Sequence, residues 1–325
     1  MATSDREQPA SRSATANGAI GSAVRASRAA PTAARALRVV ELVASDPVRE
    51  WRLTDIQRQL GYSHGNLHAI VATLVAMGYL RREPGSRTYA LGPALLGLGA
   101  AARHAYPAVD VAEPHLELLA ERLGTQTHAA MRVGEEILVV ARCGPELPLG
   151  GGVEVGTRVP LTPPMGSTLM AWASPAELDA YFATAEGALT PDELAASRAS
   201  LEAVRRRGHS VHVYAGPRQL LSEAAARVVA EGVDDPDHDL TELAHELARH
   251  DYLPEEPDAS SVGEGIQLSA PVFDADSRVV LSVGVAFVGP RVDMAAVADA
   301  PEALLAAAAT ITGALGGRPP GSDVG

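Results

Sequence analysis

The chain has 325 residues, 46% of them hydrophobic, and a formal net charge of −13. That length and apolar content allow two cored domains. The lack of any run of eighteen apolar residues argues against a membrane span, and the charges scattered through the first thirty residues argue against a secretory leader.

A single cysteine, Cys143, excludes an intrachain disulfide and a cysteine-based metal cage, and the expected address is the cytoplasm. All 27 basic residues are arginine, a bias of GC-rich bacterial coding. Charge is unevenly placed: residues 1–107 hold 13 Arg against 7 Asp and Glu, whereas residues 108–325 hold 14 against 33. A basic head on an acidic body suits a chain of which one end meets a polyanion. Residues 1–31 are rich in Ser, Ala, Thr and Arg without a hydrophobic period, and read as a disordered tail.

From Thr32, "TAARALRVVELVAS" predicts an amphipathic helix capped by Thr32, with Ala33, Leu37, Val40 and Ala44 facing inward. "WRLTDIQRQLGY" predicts a short helix capped by Thr54, with Ile56 and Leu60 one turn apart and Gly61 as its stop. A third helix follows from about His64 to Met77, burying Leu67, Ile70, Val71, Leu74 and Val75. "YLRREPGSRTYALG" then gives two short strands about the turn Pro84-Gly85-Ser86.

Three helices and a hairpin in that order are a winged helix-turn-helix. The third helix would lie in the major groove of double-stranded DNA and present Ser63, His64, Asn66 and His68 to base edges, with Thr73 further along. The wing would carry Arg81, Arg82 and Arg87 to phosphates or the minor groove. "ALGPALLGLGAAARHAY" follows as a linker helix, with Leu91, Leu95, Leu98 and Ala102 at helical spacing.

Beyond it, a helix over Val111–Leu123 stopping at Gly124 precedes two strands, "THAAMRV" and "ILVVA", joined at Gly134-Glu135-Glu136. Gly166 and Ser167 open a helix through Trp172, whose free N–H groups suit a carboxylate. The strand reading adds Met131 as a wall of a ligand pocket. From Ser222 to His250, Ala and Val at helical spacing and the stripe Leu240, Leu243, Ala244 and Leu247 predict two helices over the pocket or at a subunit contact.

The wing ending in "YALG" (Tyr89–Gly92), "PHLELLAERLGTQTHAAMRVGEEILVVAR" (Pro114–Arg142), "GTRVPLTPPMGSTLMAWAS" (Gly156–Ser174) and "GIQLSAPVFDADSRVVLSVGVAF" (Gly265–Phe287) together resemble the IclR family of bacterial transcriptional regulators. The resemblance spans about residues 32–315. It implies an α+β fold: a winged helix-turn-helix domain (32–92), a linker helix (93–107) and a GAF-like α/β effector-binding domain (108–318), with a helical insertion at about 215–262 and a tail at 319–325. By the same resemblance Gly166, Ser167, Gln267, Gly284 and Ala286 line an effector pocket, and Gly284 and Ala286 stand where serines are common. Partners implied are a partly palindromic DNA operator, a small effector such as a carboxylate, and further copies of the chain in a homodimer or homotetramer. Repression is the commoner outcome in such regulators.

Other chemistry finds little support, and neither a cofactor, a metal nor a catalytic group is expected. The histidines of "HELARH" (His245–His250) are five apart and point about 140° away from each other, which excludes a zinc-protease helix. His64 and His68 are four apart, but they occupy the DNA-reading surface. "GHSVH" (Gly208–His212) lacks the second glycine of a nucleophile elbow, and "GGGVEVG" opens no helix for a pyrophosphate. Two rival readings stand beside the regulator: an enzyme of small-molecule metabolism with an appended DNA-binding domain, and an oligomerisation module without ligand.

Overall fold

The computed structural model describes residues 30–46, 48–147, 154–187, 189–214, 265–288 and 294–321. The two helices expected within 222–250, and most of the tail at 1–31, lie outside the described residues. The chain divides between Leu95 and Leu96 into two units, each packed on itself.

The first unit contains α1 (Pro31–Ala44), β1 (Trp51–Arg52), α2 (Leu53–Leu60), α3 (His64–Ala76), β2 (Leu80–Arg82) and β3 (Thr88–Leu91). Its antiparallel sheet has the order β1-β3-β2. The two residues of β1 were not foreseen; they pair Trp51 with Tyr89 and Arg52 with Thr88. Trp51 is buried and its indole N–H donates to the Asp46 carbonyl at 3.1 Å, which fixes the chain where α2 begins.

Helix α1 buries Val39, Leu42 and Val43 rather than the expected Ala33, Leu37, Val40 and Ala44; Leu37 is 62% exposed. Apolar residues run round most of this helix, so its period marks a helix without choosing the face; Trp51, Ile56 and Leu67 choose it by packing there. Pro31 opens the helix with its fixed φ, and Thr32 is not the cap. Helix α2 likewise begins before Thr54, with Arg52 as its N-cap. Gly61 stops it in the left-handed region at φ 66°, its N–H donating to the Gln57 carbonyl. In α3 Leu67, Ile70, Val71 and Leu74 are buried, each side chain contributing about 1.5–3 kcal/mol by removal from water.

Helix α4 (Ala94–Ala105) has no buried residue. The second unit continues with α5 (Pro107–Leu123), β4 (Gln126–Val133), β5 (Glu136–Cys143), β6 (Arg158–Pro160), α6 (Ser167–Met170), α7 (Pro175–Ala183), α8 (Pro191–Arg207), β7 (Ser210–Tyr214), β8 (Gly265–Phe273), β9 (Val279–Val288) and α9 (Met294–Ala314). Among the described residues its antiparallel strands lie in the order β6-β5-β4-β9-β8-β7.

Alternation along the strands gives the sheet two faces. Ala129, Leu268, Ala270, Val283, Val285 and Phe287 form the main core with Leu116 and Leu119 of α5 and Leu304 and Ile311 of α9. Residues 295–314 of α9 are long and apolar enough by composition to cross a membrane, but their apolar stripe is buried against this sheet. Leu161, Met170, Tyr181, Phe182 and Leu201 form a second, smaller core about α6, α7 and α8.

Candidate nucleic-acid interface and inner sheet face

The N-terminal turn of α3 is open. Ser63 is its N-cap, exposed and without a side-chain capping bond, and His64 and His68 are exposed with ring centroids 6.4 Å apart. Asn66 is half-buried on the same turn. Thr73 differs: its hydroxyl donates to the Ala69 carbonyl of its own helix at 2.9 Å, leaving only lone pairs to offer a partner.

In the wing, Arg82 and Arg87 are exposed, and Arg87 occupies the left-handed region at φ 57° where the turn closes. Arg81 is ion-paired with Glu83. Such an exposed pair holds weakly, and a phosphate can compete for the guanidinium. Beside the wing, an open depression is lined by Arg49, Arg81, Ser86 and Tyr89. Arg49 was not singled out in the sequence; its guanidinium lies 4.1 Å over the Trp51 ring, a contact that depends on the unforeseen strand β1.

The second site lies on the sheet face turned away from α5 and α9. Strand register lines up two rows of side chains across it: Gln126, Ala286, Gln267 and His212, then His128, Gly284, Ser269 and Ser210. Helix α6 packs on this face, where the Thr168 hydroxyl donates to Ser210 Oγ at 2.7 Å. Gln267 Nε2 lies 3.3 Å from His128 Nε2 and 3.4 Å from Ser269 Oγ. With the ring protonated on Nδ1, the amide donates to Nε2.

Gly166 and Ser167 precede and open α6, but the helix is one turn, Ser167–Met170, and does not reach Trp172 as expected. Gly166 takes φ 79°, and a Cβ there would run into Leu161. The turn is fixed from behind by Tyr181, whose buried hydroxyl donates to the Met165 carbonyl at 2.7 Å. Burial pushes that phenol well above its usual range, so it stays a donor. Ser167 is 2% exposed, and its hydroxyl finds no hydrogen-bond partner among the described residues.

The structure therefore brings five of the six expected effector residues to one region: Gly166, Ser167, Gln267, Gly284 and Ala286. Met131 is the correction. It packs against the main core on the helix-covered side, in step with Ala129, because β4 alternates through His128 on one face and Met131 on the other. Gln126, His128, Ser269, Ser210, His212 and Thr168 were missed. The signal was present in the alternation itself, since strands buried on both faces rarely place polar residues two apart without use for them.

Residues 32–84 match the IclR helix-turn-helix domain, and residues 100–216 match the domain described as bacterial transcriptional regulator IclR C-terminal. The HTH-type transcriptional regulator XynR of Escherichia coli (strain K12) is 25% identical over 291 residues, 87% of this chain and 96% of that protein. A crystal structure of an IclR transcriptional regulator from Alicyclobacillus acidocaldarius overlays with a TM-score of 0.61 at 20% identity, over 88% of this chain and 99% of that one. An IclR homolog from Microbacterium hydrocarbonoxydans, complexed with 4-hydroxybenzoate, overlays at 0.58 and 19% identity, over 87% of this chain and 98% of that one. At such identities the solved structures share the fold.

Proposed function

The chain belongs to the IclR family of transcriptional regulators, and we infer that it represses transcription from a partly palindromic operator until a small organic acid occupies its inner sheet face. It is a DNA-binding regulator with an effector-binding domain. Ser63, His64, Asn66 and His68 read base edges, and Arg82 and Arg87, with Arg81 released from Glu83, hold phosphates. Two or four copies of the chain, in the cytoplasm, match the symmetry of such an operator.

For the effector, the observation that carries the reading is the buried Ser167 hydroxyl, which lacks a partner among the described residues beside a face holding Gln267 and Ser269. A buried hydroxyl left unsatisfied costs about 1–3 kcal/mol, which a ligand oxygen recovers. The complex of a structural neighbour with 4-hydroxybenzoate supports an aromatic carboxylate as the class to try first. Release of DNA requires that the ligand bind the DNA-free state more tightly than the DNA-competent one. The similar proteins are regulators, which supports binding without turnover.

The test is fluorescence anisotropy of the full chain with the DNA upstream of its own gene and a scrambled duplex, across a salt series, with and without 4-hydroxybenzoate. Selective binding that weakens steeply with salt and is relieved by the acid is the expected result. Equal affinity for both duplexes at every salt concentration would overturn the reading.

A further inference from the structure

Gly284 is a glycine for a reason its backbone does not supply. Its φ is not positive, and it sits in the middle of β9, where a β-branched residue would pack better. Space supplies the reason: a Cβ at Gly284 would lie 2.5 Å from His128 Cε1, 2.7 Å from His128 Nε2 and 2.9 Å from Ser269 Oγ. Its nearest obstruction is a ring held in place, since His128 is 4% exposed.

His128 and Gly284 are direct partners across β4 and β9, and Gly284 is in turn opposite Ser269 of β8. The imidazole therefore lies across the glycine and reaches Gln267, one strand further on. At the point of the inner face where a side chain from position 284 would stand, the chemistry is provided by a residue of the neighbouring strand.

We propose that His128 is the specificity-determining residue of the effector site, and that it and Gly284 act as one unit: the glycine admits the imidazole, and the imidazole receives the polar head of the ligand. This rests on the inner face being the effector site. A serine at 284 would offer one hydroxyl close to the sheet. An imidazole is a flat polar ring that reaches further from the sheet, and it stands beside the Gln267 amide, whose Nε2 lies 3.3 Å from its Nε2. Ile137 and Leu161 stand against Gly166, at the turn that carries Ser167 onto this face. The ligand that fits both is an organic acid with one oxygen-bearing head on an apolar or aromatic body.

The experiment is isothermal titration of the full chain with 4-hydroxybenzoate and with its uncharged analogue 4-hydroxybenzamide, for the wild type, His128→Ala, Gly284→Ser and His128→Ala/Gly284→Ser, with the melting temperature of each. His128→Ala is expected to weaken 4-hydroxybenzoate at least tenfold and the amide less. Gly284→Ser is expected to weaken the acid at least as much and to lower the melting temperature, because the ring must leave. In the double variant the melting temperature recovers and affinity falls no further than in His128→Ala alone. Losses that simply add, or a His128→Ala protein that binds like the wild type, would overturn this proposal and leave the effector face standing. A wild type that binds neither probe would overturn both the ligand class and the inference built on it. Should Gly284→Ser fail to fold, His128→Gln, which keeps a polar head without the ring, replaces it: affinity and the acid-over-amide preference must both change.

Discussion

The same side-chain chemistry occurs twice in this protein under opposite conditions. At the start of α3, His64, His68 and Ser63 are exposed. On the inner sheet face His128, His212 and Ser269 are buried, as is Ser167 on the helix packed against it. Exposed groups are satisfied by water until a duplex replaces it, so their specificity is a difference between two wet states. Buried groups have no such reserve and must be satisfied by the fold or by a ligand, which makes each of them more costly to misplace. Histidine in the first place is open to a partner; in the second it is packed into the sheet face.

The largest expected effect tests whether the two regions are energetically separate. A Cβ at Gly92 would collide with the Gly78 carbonyl oxygen and lie 2.7 Å from its carbon and 2.8 Å from the Tyr79 carbonyl carbon, all backbone that cannot rotate away. Gly92→Ala should destabilise the first unit by about 3 kcal/mol. Calorimetry should show one of two melting transitions move while the transition of Leu96–Gly325 stays. A single transition that shifts as a whole would show that the two units melt as one.

Next come two substitutions on the exposed side. Asn66→Ala should cost about 1–3 kcal/mol on the operator and nearly nothing on a scrambled duplex. Arg82→Ala should weaken both duplexes alike and reduce the salt slope by about 1. If Asn66→Ala weakened both equally, the base-reading role would pass to His64 or His68.

On the buried side, Tyr181→Phe removes the donor that holds the Met165 carbonyl and should cost about 1 kcal/mol of stability. It should also weaken any ligand that contacts Ser167, read as a smaller ligand-induced rise in melting temperature. The smallest effect concerns His209, whose imidazole burial, and secondly the Arg207 charge, hold below its ordinary value. A depressed pKa means that the unfolded chain binds the proton more readily. The associated stability is present above the unfolded value of about 6.5 and is lost as pH falls through the folded one. His209→Gln should flatten the fall in melting temperature below pH 6.5.

How legible all this was in the sequence depends on whether a residue's role is local. Gly61 stops a helix through its own φ, and Leu67, Ile70, Val71 and Leu74 declare one face through their spacing, so these were read correctly. The face of α1 was not, because its apolar residues fit two stripes and only Trp51 and Ile56 decide between them. The inner face was reached through resemblance for Gly166, Ser167, Gln267, Gly284 and Ala286. His128 escaped because its role depends on what stands opposite it: only the register of β4 against β9 reveals that a histidine and a glycine share one space. Met131 erred by a single step of strand alternation, which no local pattern marks in a stretch as uniformly apolar as "AAM".

Helix α4 carries two interior glycines, Gly97 and Gly99, each costing about 1 kcal/mol relative to alanine, and buries none of its twelve residues. A helix of that length and composition barely holds itself wound in water. At its start the Ala94 N–H donates to the Gly78 carbonyl at 3.1 Å, and at its far end Arg103 forks to Asp110 at 2.5 Å and to Glu113 at 2.5 Å on α5. Mechanically, α4 is a torsion rod held at both ends and soft between them. A twist applied at Arg103 travels only while the coil stays closed, and Leu96 and Leu98, 78% and 50% exposed, are where a covering surface would stiffen it. Transmission along this rod is then a property of its winding as much as of its angle, and added salt, by loosening the exposed clamp, should slacken it.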